Sequence, residues 1–360
     1  MSDKGYTLSE NSSLALDLLR AGASQAVVIG HGISYFGLLP SLQPPGFPYI
    51  QNLAVVVFFV LSGFLITYAT LRKPPAFRFR EFFIDRFARI YAAYAVVLVL
   101  VLLIDRWAIH LDPASYGHGT AMNWKTFVGN VFMLQDHPLG KRLDYAVTSF
   151  GSARPLWTLA IEWWIYMGFG WLVLRGKKPL VLWLALLAVL LIVPAHNVLF
   201  GRGNGLALVW IFGALLYLAT SARRLLAART EALVVAFVMF AGLAIWLLRT
   251  TKEPYDPKFA ALFAAALLCA VLAIDRIRWR VPPFLAAAIR FVANYSFTLY
   301  LLHYSLLDLI AHNPVFESPR ANFWFAVVCA NSLSIVVAYF TEFRHRALAA
   351  WLKTKLRWSP

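Results

Sequence analysis

The sequence predicts an all-α polytopic membrane protein, and two observations carry that prediction. Hydrophobic side chains make up 61% of the 360 residues, charged side chains only 14%, and the mean hydropathy is +0.67. Apolar stretches long enough to cross a bilayer recur along nearly the whole chain, and a helix satisfies its own backbone polar groups inside lipid. We therefore expect about ten transmembrane helices in a single integral-membrane domain, residues 1–360.

Basic residues concentrate in short loops between the apolar stretches. The net charge is +16, but this distribution is typical of cytoplasmic loops under the positive-inside rule and does not indicate a nucleic-acid surface. We expect both termini in the cytoplasm, with residues 1–16 as an N-terminal segment and 342–360 as a basic tail. The strongest cluster comprises Arg72, Lys73, Arg78, Arg80, Arg86 and Arg89. Later basic loops contain Arg175, Lys177 and Lys178, then Arg223, Arg224 and Arg229, then Arg276, Arg278 and Arg280.

The apolar stretches give the order of the spans. Residues 105–154 have nearly balanced charge, and their best apolar piece, 127–134, is too short to cross a bilayer. The later basic loops can all be cytoplasmic only if this region stays outside, so we predict a long outer loop with a re-entrant or surface-lying piece. The ten predicted spans lie at roughly 17–38, 50–71, 90–104, 155–174, 180–196, 204–220, 232–248, 258–274, 285–310 and 321–341.

The first span contains the pair of residues that organises the functional prediction. Arg20 and His31 are eleven positions apart, so on a helix they share a face and lie about 16 Å apart along its axis. An arginine at one surface then has a histidine near the middle of the membrane, where ionisable groups are costly and usually functional. Gly30 and Gly32 beside the histidine allow close approach of a substrate or a helix. The alternative is a histidine bonded between helices for packing.

Arg86 and Arg89 precede the third span and also share a helix face. Two guanidinium groups at a membrane surface suit phosphate groups through bidentate contacts, and anionic lipid headgroups would bind in the same way. The simpler explanation for this spacing is ordinary cytoplasmic loop charge.

Glu162 lies two turns into the span that begins at residue 155, with Trp157 and Tyr166 near it in sequence. A carboxylate there must be paired, protonated or exposed to a wet cavity. It could orient a histidine as the third member of a catalytic triad does, or it could form a structural pair with Arg154 or Arg290.

Two further features complete the candidates. His303 is a second intramembrane histidine, which could bind a substrate or only pack. Ser62 and Gly63 indicate close helix packing rather than a nucleophile. No metal is expected, because His110, His118 and His137 are too scattered in the outer loop to form a ligand set.

Five motifs in sequence order resemble the acyltransferase-3 family of integral-membrane acyltransferases, and together they span nearly the whole chain. The family modifies extracytoplasmic carbohydrates. The motifs are Arg20 with His31, FFVLSGFLI at 58–66, DRFARIY at 85–91, PLWTLAIEWWIY at 155–166 and YSFTLYLLH at 295–303. The chain departs from the family pattern at Ala92, where proline is common, and at Trp163 and Trp164, where a second polar residue often follows the glutamate.

The resemblance implies roles for these residues. His31 is then the catalytic histidine and Glu162 the essential acid, while Arg86, Arg89 and Arg20 belong to the donor site. His303, with Tyr166 and Trp157, is assigned to substrate binding. The implied reaction moves an acetyl group from acetyl-CoA to a hydroxyl of a cell-surface or secreted saccharide or glycolipid, without a metal. The implied location is a bacterial cytoplasmic membrane, among membrane lipids, and no fused extracytoplasmic serine-hydrolase-like domain is expected.

Several alternatives stay open at the level of sequence. The donor could carry succinyl or another short acyl group, and transfer could be direct or pass through an acyl-histidine. A proton- or solute-coupled transporter would use the same intramembrane charges to line a path. A scaffold without catalytic activity would use them only to pair helices.

Overall fold

The computed structural model describes residues 6–176, 179–200, 205–220, 227–277 and 280–356 of the chain. Over these residues the secondary structure is helical, and no strand is present in them. The chain divides into two compact units. The first comprises Met1–Val27, Pro40–Pro75 and Asn197–Ala293, and the second comprises Val28–Leu39, Ala76–His196 and Asn294–Pro360.

Among the described residues, α-helices occur at all ten predicted span positions, and three shorter α-helices lie outside them. Before residue 200 the helices are α1 Glu10–Tyr35, α2 Ile50–Leu71, α3 Phe79–Leu111, α4 Trp124–Val131, α5 Pro138–Arg142, α6 Leu156–Val173 and α7 Leu180–Leu199. The later helices are α8 Leu206–Ala219, α9 Thr230–Thr251, α10 Pro257–Ile274, α11 Pro283–His312, α12 Pro319–Phe340 and α13 His345–Lys355.

Seven stretches among the described residues are long and apolar enough to cross a membrane. They are Ile50–Leu71, Phe79–Leu111, Leu180–Leu199, Thr230–Thr251, Pro257–Ile274, Pro283–His312 and Pro319–Lys355. The all-α multi-pass class is therefore confirmed, while the count of ten spans and the orientation of the termini stay predictions. Helix α8 is a shorter apolar helix of 14 residues, and α1 begins at Glu10, well before the predicted start at 17.

Helix α3 is much longer than the span predicted at 90–104, so those bounds were wrong. It has 33 residues, which corresponds to a length of about 50 Å. The helix begins within the charged segment because the backbone N–H of Arg78 donates to the Glu81 carboxylate at 3.0 Å, which satisfies a free group at the helix start. A search for apolar stretches misses these bounds because α3 carries charged residues near both ends.

The segment between α3 and α6 folds back along α3. The Ser152 N–H donates to the Asp105 carboxylate at 2.8 Å, near the end of α3, and the Tyr94 hydroxyl donates to the Asn130 carbonyl at 2.9 Å. Tyr94 and Asp105 are eleven positions apart, which corresponds to roughly 17 Å of helix axis. Helix α4 overlaps the apolar piece predicted at 127–134, begins three residues before it, and is too short to cross. The choice between a re-entrant and a surface-lying piece stays a prediction.

In the first unit, α2 and α8 pack backbone to backbone at two glycines. A Cβ atom at Gly63 would lie 2.0 Å from the Trp210 carbonyl oxygen, and one at Gly213 would lie 2.1 Å from the Val60 carbonyl oxygen. The Trp210 indole N–H also donates to the Ser62 hydroxyl at 3.1 Å. The prediction that Ser62 and Gly63 form a close-packing contact is confirmed.

In the second unit, the segment predicted as a basic tail contains a helix, α13, that packs on α3. Ala349 is buried against Ile84 and Ala88, and the Lys353 ammonium pairs with the Asp85 carboxylate at 2.5 Å. The apolar face of this helix explains why it packs instead of extending into solvent. Several predicted loop and tail cations lie outside the described residues, namely Lys177, Lys178, Arg223, Arg224, Arg278 and Arg357.

Candidate active site

His31 and His303 lie side by side in the second unit. Their ring centroids are 5.3 Å apart, with planes tilted by 33°, and the Tyr304 ring meets His31 edge-on at 4.9 Å. Gly32 leaves room for the neighbouring helix, since a Cβ there would lie 2.6 Å from the Phe323 ring. His31 is half-buried, and its described ring neighbours His303 and Tyr304 carry polar groups.

The hydrogen bonds of His303 fix its tautomer. Its Nδ1 lies 3.1 Å from the Leu299 carbonyl and 2.9 Å from the Tyr300 carbonyl. A carbonyl oxygen only accepts, so Nδ1 carries the hydrogen and Nε2 is an unprotonated acceptor in the neutral ring. Nε2 is buried without a hydrogen-bond partner among the described residues, and His303 is fully buried. A buried acceptor of this kind is suited to receive the hydrogen of a substrate hydroxyl.

The polar groups continue from the histidines toward α6. The Tyr300 ring lies 5.9 Å from that of His303, and the hydroxyl of Tyr300 forms a short hydrogen bond with the Thr158 hydroxyl. Thr158 is one helical turn before Glu162, so the two side chains share a face of α6. The second unit thus contains one row of polar side chains, which runs from the two histidines through Tyr300 and Thr158 to Glu162.

Glu162 accepts a hydrogen bond of 2.5 Å from the Tyr166 hydroxyl one turn further along α6. Arg86 interacts electrostatically with both of these side chains and with Asp85. The Nε atom of Arg86 is buried, and no hydrogen-bond partner for it is seen among the described residues. Glu162 therefore lies near Arg86. The described ring contacts of His31 are with His303 and Tyr304, and Glu162 is not among them. The triad-like role of Glu162 stays a prediction.

Arg89 is held by a buried carboxylate. Its Nη2 atom lies 2.7 Å from Glu342 Oε1, and Glu342 is 1% exposed. The backbone N–H and the hydroxyl of Thr298 both donate to the other carboxylate oxygen, at 3.0 and 2.9 Å. The guanidinium also lies over the Phe297 ring, 5.7 Å from its centroid. Arg89 is thus anchored on α11, the helix that carries His303.

The remaining predicted residues occupy different surroundings. Arg20 belongs to the first unit, where its Nη2 pairs with the Asp17 carboxylate at 2.8 Å. It shares helix α1 with His31, as predicted. Trp157 and Tyr166 are buried in the second unit, and their substrate-binding role stays a prediction.

Sequence reasoning missed Tyr300, Tyr304, Asp308 and Glu342. The first three lie at four-residue intervals on α11 and therefore share one helix face, a signal that was readable from the sequence. Glu342 carries no such signal, because only the fold brings the end of α12 to Arg89.

These features define a helical membrane protein with a histidine pair and an arginine pair in the same unit. Residues 13–343 match the family model described as "Acyltransferase domain", so the chain belongs to this acyltransferase family, and the predicted membership is confirmed.

Curated relatives are O-acetyltransferases by name. The chain is 26% identical to the peptidoglycan O-acetyltransferase OatA of Listeria monocytogenes, over 87% of this chain and 52% of the relative. It is 27% identical to the putative peptidoglycan O-acetyltransferase YrhL of Bacillus subtilis, over 77% of this chain and 47% of the relative. It is 28% identical to the O-acetyl transferase of Shigella phage Sf6, over 51% of this chain and 53% of the relative. The chain thus spans about half the length of these relatives. No solved structure matches it.

Proposed function

We propose that this protein transfers an acetyl group from acetyl-CoA to a hydroxyl of a cell-envelope saccharide, with His31 and His303 at the reaction centre. The observation that carries the proposal is the buried, unpaired Nε2 of His303 beside the half-buried His31. A lone imidazole that only packed between helices would have both ring nitrogens satisfied. Membership of the acyltransferase family and the names of the relatives support acyl transfer as the reaction.

The chemistry requires a base for the acceptor hydroxyl. A neutral imidazole has one unprotonated ring nitrogen, and this nitrogen takes the hydroxyl proton while the oxygen forms a bond to the thioester carbonyl carbon. The carbon–sulfur bond then breaks, and the leaving thiolate receives the proton. Acetyl ester and free coenzyme A are the products. In the covalent variant, His31 first takes the acetyl group, and His303 Nε2 serves as the base when the hydroxyl attacks the acyl-imidazole.

The donor assignment rests on the arginine region. Coenzyme A carries phosphate groups, and guanidinium groups bind phosphates through paired hydrogen bonds. Arg89 is held in place by Glu342, while the Nε of Arg86 is a buried donor that a phosphate oxygen would satisfy. Under the predicted orientation this region faces the cytoplasm, where acetyl-CoA is found, and the membrane is the cytoplasmic membrane.

The acceptor assignment rests on the relatives. Two of them are named for peptidoglycan, so glycan strands of peptidoglycan are the first acceptor to test. A transporter would need no hydroxyl acceptor and would leave the saccharides without added acetyl groups.

The test is mass spectrometry of cell-envelope saccharides from cells that express the wild type, His31→Ala or His110→Gln at equal protein level. His110 is an exposed histidine of α3 and serves as the matched control. We expect ester-linked acetyl groups with the wild type and with His110→Gln, and background levels with His31→Ala. Equal acetyl content in all three samples would overturn the proposal.

A further inference from the structure

Asp308 is the centre of a second polar cluster in the second unit, and its partners converge on one oxygen. The Tyr35 hydroxyl donates to Oδ1 at 2.8 Å, and His118 Nε2 lies 3.1 Å from the same atom. His312 Nδ1 lies 3.6 Å from it. The carboxylate is 7% exposed, and among the described residues no hydrogen-bond partner is seen for Oδ2. Asp308 therefore has one oxygen anchored and the other available.

His118 presents a second available acceptor. A carboxylate oxygen only accepts, so the neutral His118 ring carries its hydrogen on Nε2 and has an unprotonated Nδ1. That Nδ1 atom is buried and has no hydrogen-bond partner among the described residues. Buried acceptors without a partner are rare in folded proteins, and an occupant that donates a hydrogen bond is the usual explanation.

The surroundings of His118 are fixed by bonds to α3. The Tyr116 ring meets His118 edge-on at 5.6 Å, and the Tyr116 hydroxyl interacts electrostatically with the Asp105 carboxylate. Burial, followed by the negative charge of Asp105, raises the pKa of Tyr116 above its ordinary value, so this hydroxyl stays a donor. Asp105 in turn accepts from the Ser152 hydroxyl at 2.6 Å. The cluster is thus preorganised rather than dependent on a mobile surface loop.

The cluster is connected to the histidine pair through two aromatic rings. The Tyr35 ring lies 5.2 Å from that of Tyr304, and the Tyr304 ring lies 4.9 Å from that of His31. The Tyr35 and Tyr304 rings therefore lie between a molecule bound at Asp308 and the reaction centre. Tyrosine rings are suitable neighbours for the apolar faces of a sugar.

We propose that Asp308 and His118 form a subsite that binds hydroxyl groups of the saccharide acceptor. Two acceptor atoms, Oδ2 and Nδ1, require a ligand that donates at least two hydrogen bonds, and the carboxylate disfavours an anion. Neighbouring hydroxyls of a sugar meet both conditions, and a charge-assisted bond to the carboxylate is the stronger of the two. This inference rests on the proposed transfer reaction, and it assigns a binding site to the saccharide acceptor of that reaction.

The test uses the full chain purified in lipid nanodiscs, with radiolabelled acetyl-CoA as donor and soluble peptidoglycan glycan strands as acceptor. The variants are His118→Phe, which keeps a ring but removes both nitrogens, and Asp308→Asn, which replaces one accepting oxygen with a donor. His118→Asn restores a polar acceptor, and His110→Gln is the matched surface control. The acceptor KM, the donor KM and the melting temperature are measured for each.

We expect the acceptor KM to rise about tenfold in His118→Phe and Asp308→Asn, with partial recovery in His118→Asn. The donor KM should stay within twofold of the wild-type value, which a general loss of structure would not permit. An unchanged acceptor KM in both variants would overturn the subsite alone. Equal losses of donor and acceptor affinity together with a lower melting temperature would assign the cluster a purely structural role. No transfer by the wild type would remove both proposals.

Discussion

Nε2 of His303 is the buried, unpaired nitrogen beside His31, and its position is set by the opposite nitrogen of the same ring. Because Nδ1 donates to the carbonyls of Leu299 and Tyr300, the ring cannot turn without breaking these bonds to its own helix. The free lone pair therefore keeps a fixed direction, and the His303 ring centroid lies 5.3 Å from that of His31. A fixed tautomer is the usual requirement for a histidine base.

The first prediction concerns His303→Asn. The amide nitrogen of asparagine can replace Nδ1 as the donor to the helix carbonyls. Asparagine has no acceptor atom at the position of Nε2. If Nε2 takes part in proton transfer, the transfer rate falls by about 10²- to 10⁴-fold while the protein folds normally. The measurement is acetyl transfer by the purified variant at saturating donor, with the melting temperature as control. A folded variant with wild-type turnover would contradict the role given to His303.

The second prediction concerns the donor site, through Arg86→Gln and the matched surface variant Arg80→Gln. Arg86 has a buried Nε, whereas Arg80 is exposed on the same helix. Loss of one charge-assisted contact to phosphate is worth about 1.5–3 kcal/mol, so the acetyl-CoA KM should rise by roughly tenfold or more in Arg86→Gln. Arg80→Gln should leave it unchanged. Equal KM values for the two variants would remove Arg86 from the donor site.

The third prediction concerns Glu342, which positions Arg89. Replacement by Gln removes the charge that holds the guanidinium, while the amide oxygen can still accept from Thr298. Breaking one side of a buried ion pair costs about 3–5 kcal/mol, and partial exposure of Arg89 reduces that figure here. We expect a lower melting temperature and a raised acetyl-CoA KM, with the acceptor KM unchanged. If Arg89→Gln and Glu342→Gln together raise the donor KM no more than either alone, the two residues act as one unit.

The fourth prediction concerns the contact between α2 and α8 in the first unit. Ala at Gly63 or Gly213 places a methyl group about 2 Å from a backbone carbonyl oxygen, so the helices must separate. We expect a lower melting temperature and loss of monodisperse protein for Gly63→Ala. Gly242→Ala is the control, because nothing lies within 4 Å of a Cβ there. Equal melting curves for the two variants would contradict this packing.

Sequence reasoning recovers the helical class because lipid requires continuous apolar stretches, and those are visible in composition alone. It recovers the Ser62–Gly63 contact because a small residue in an apolar helix permits close approach. The true length of α3 was missed because its ends are charged and become helical through capping and through packing of α13. The pairings of Arg89 with Glu342 and of His118 with Asp308 were missed because these partners are distant in sequence and only the fold brings them together.

The most direct test of the central claim is transfer of a carbon-14 acetyl group from acetyl-CoA to peptidoglycan glycan strands by the purified chain in nanodiscs. The account predicts label in the saccharide as an alkali-labile ester with the wild type, and none above background with His31→Ala. Label transfer by His31→Ala at the wild-type rate, with the variant folded, would contradict it.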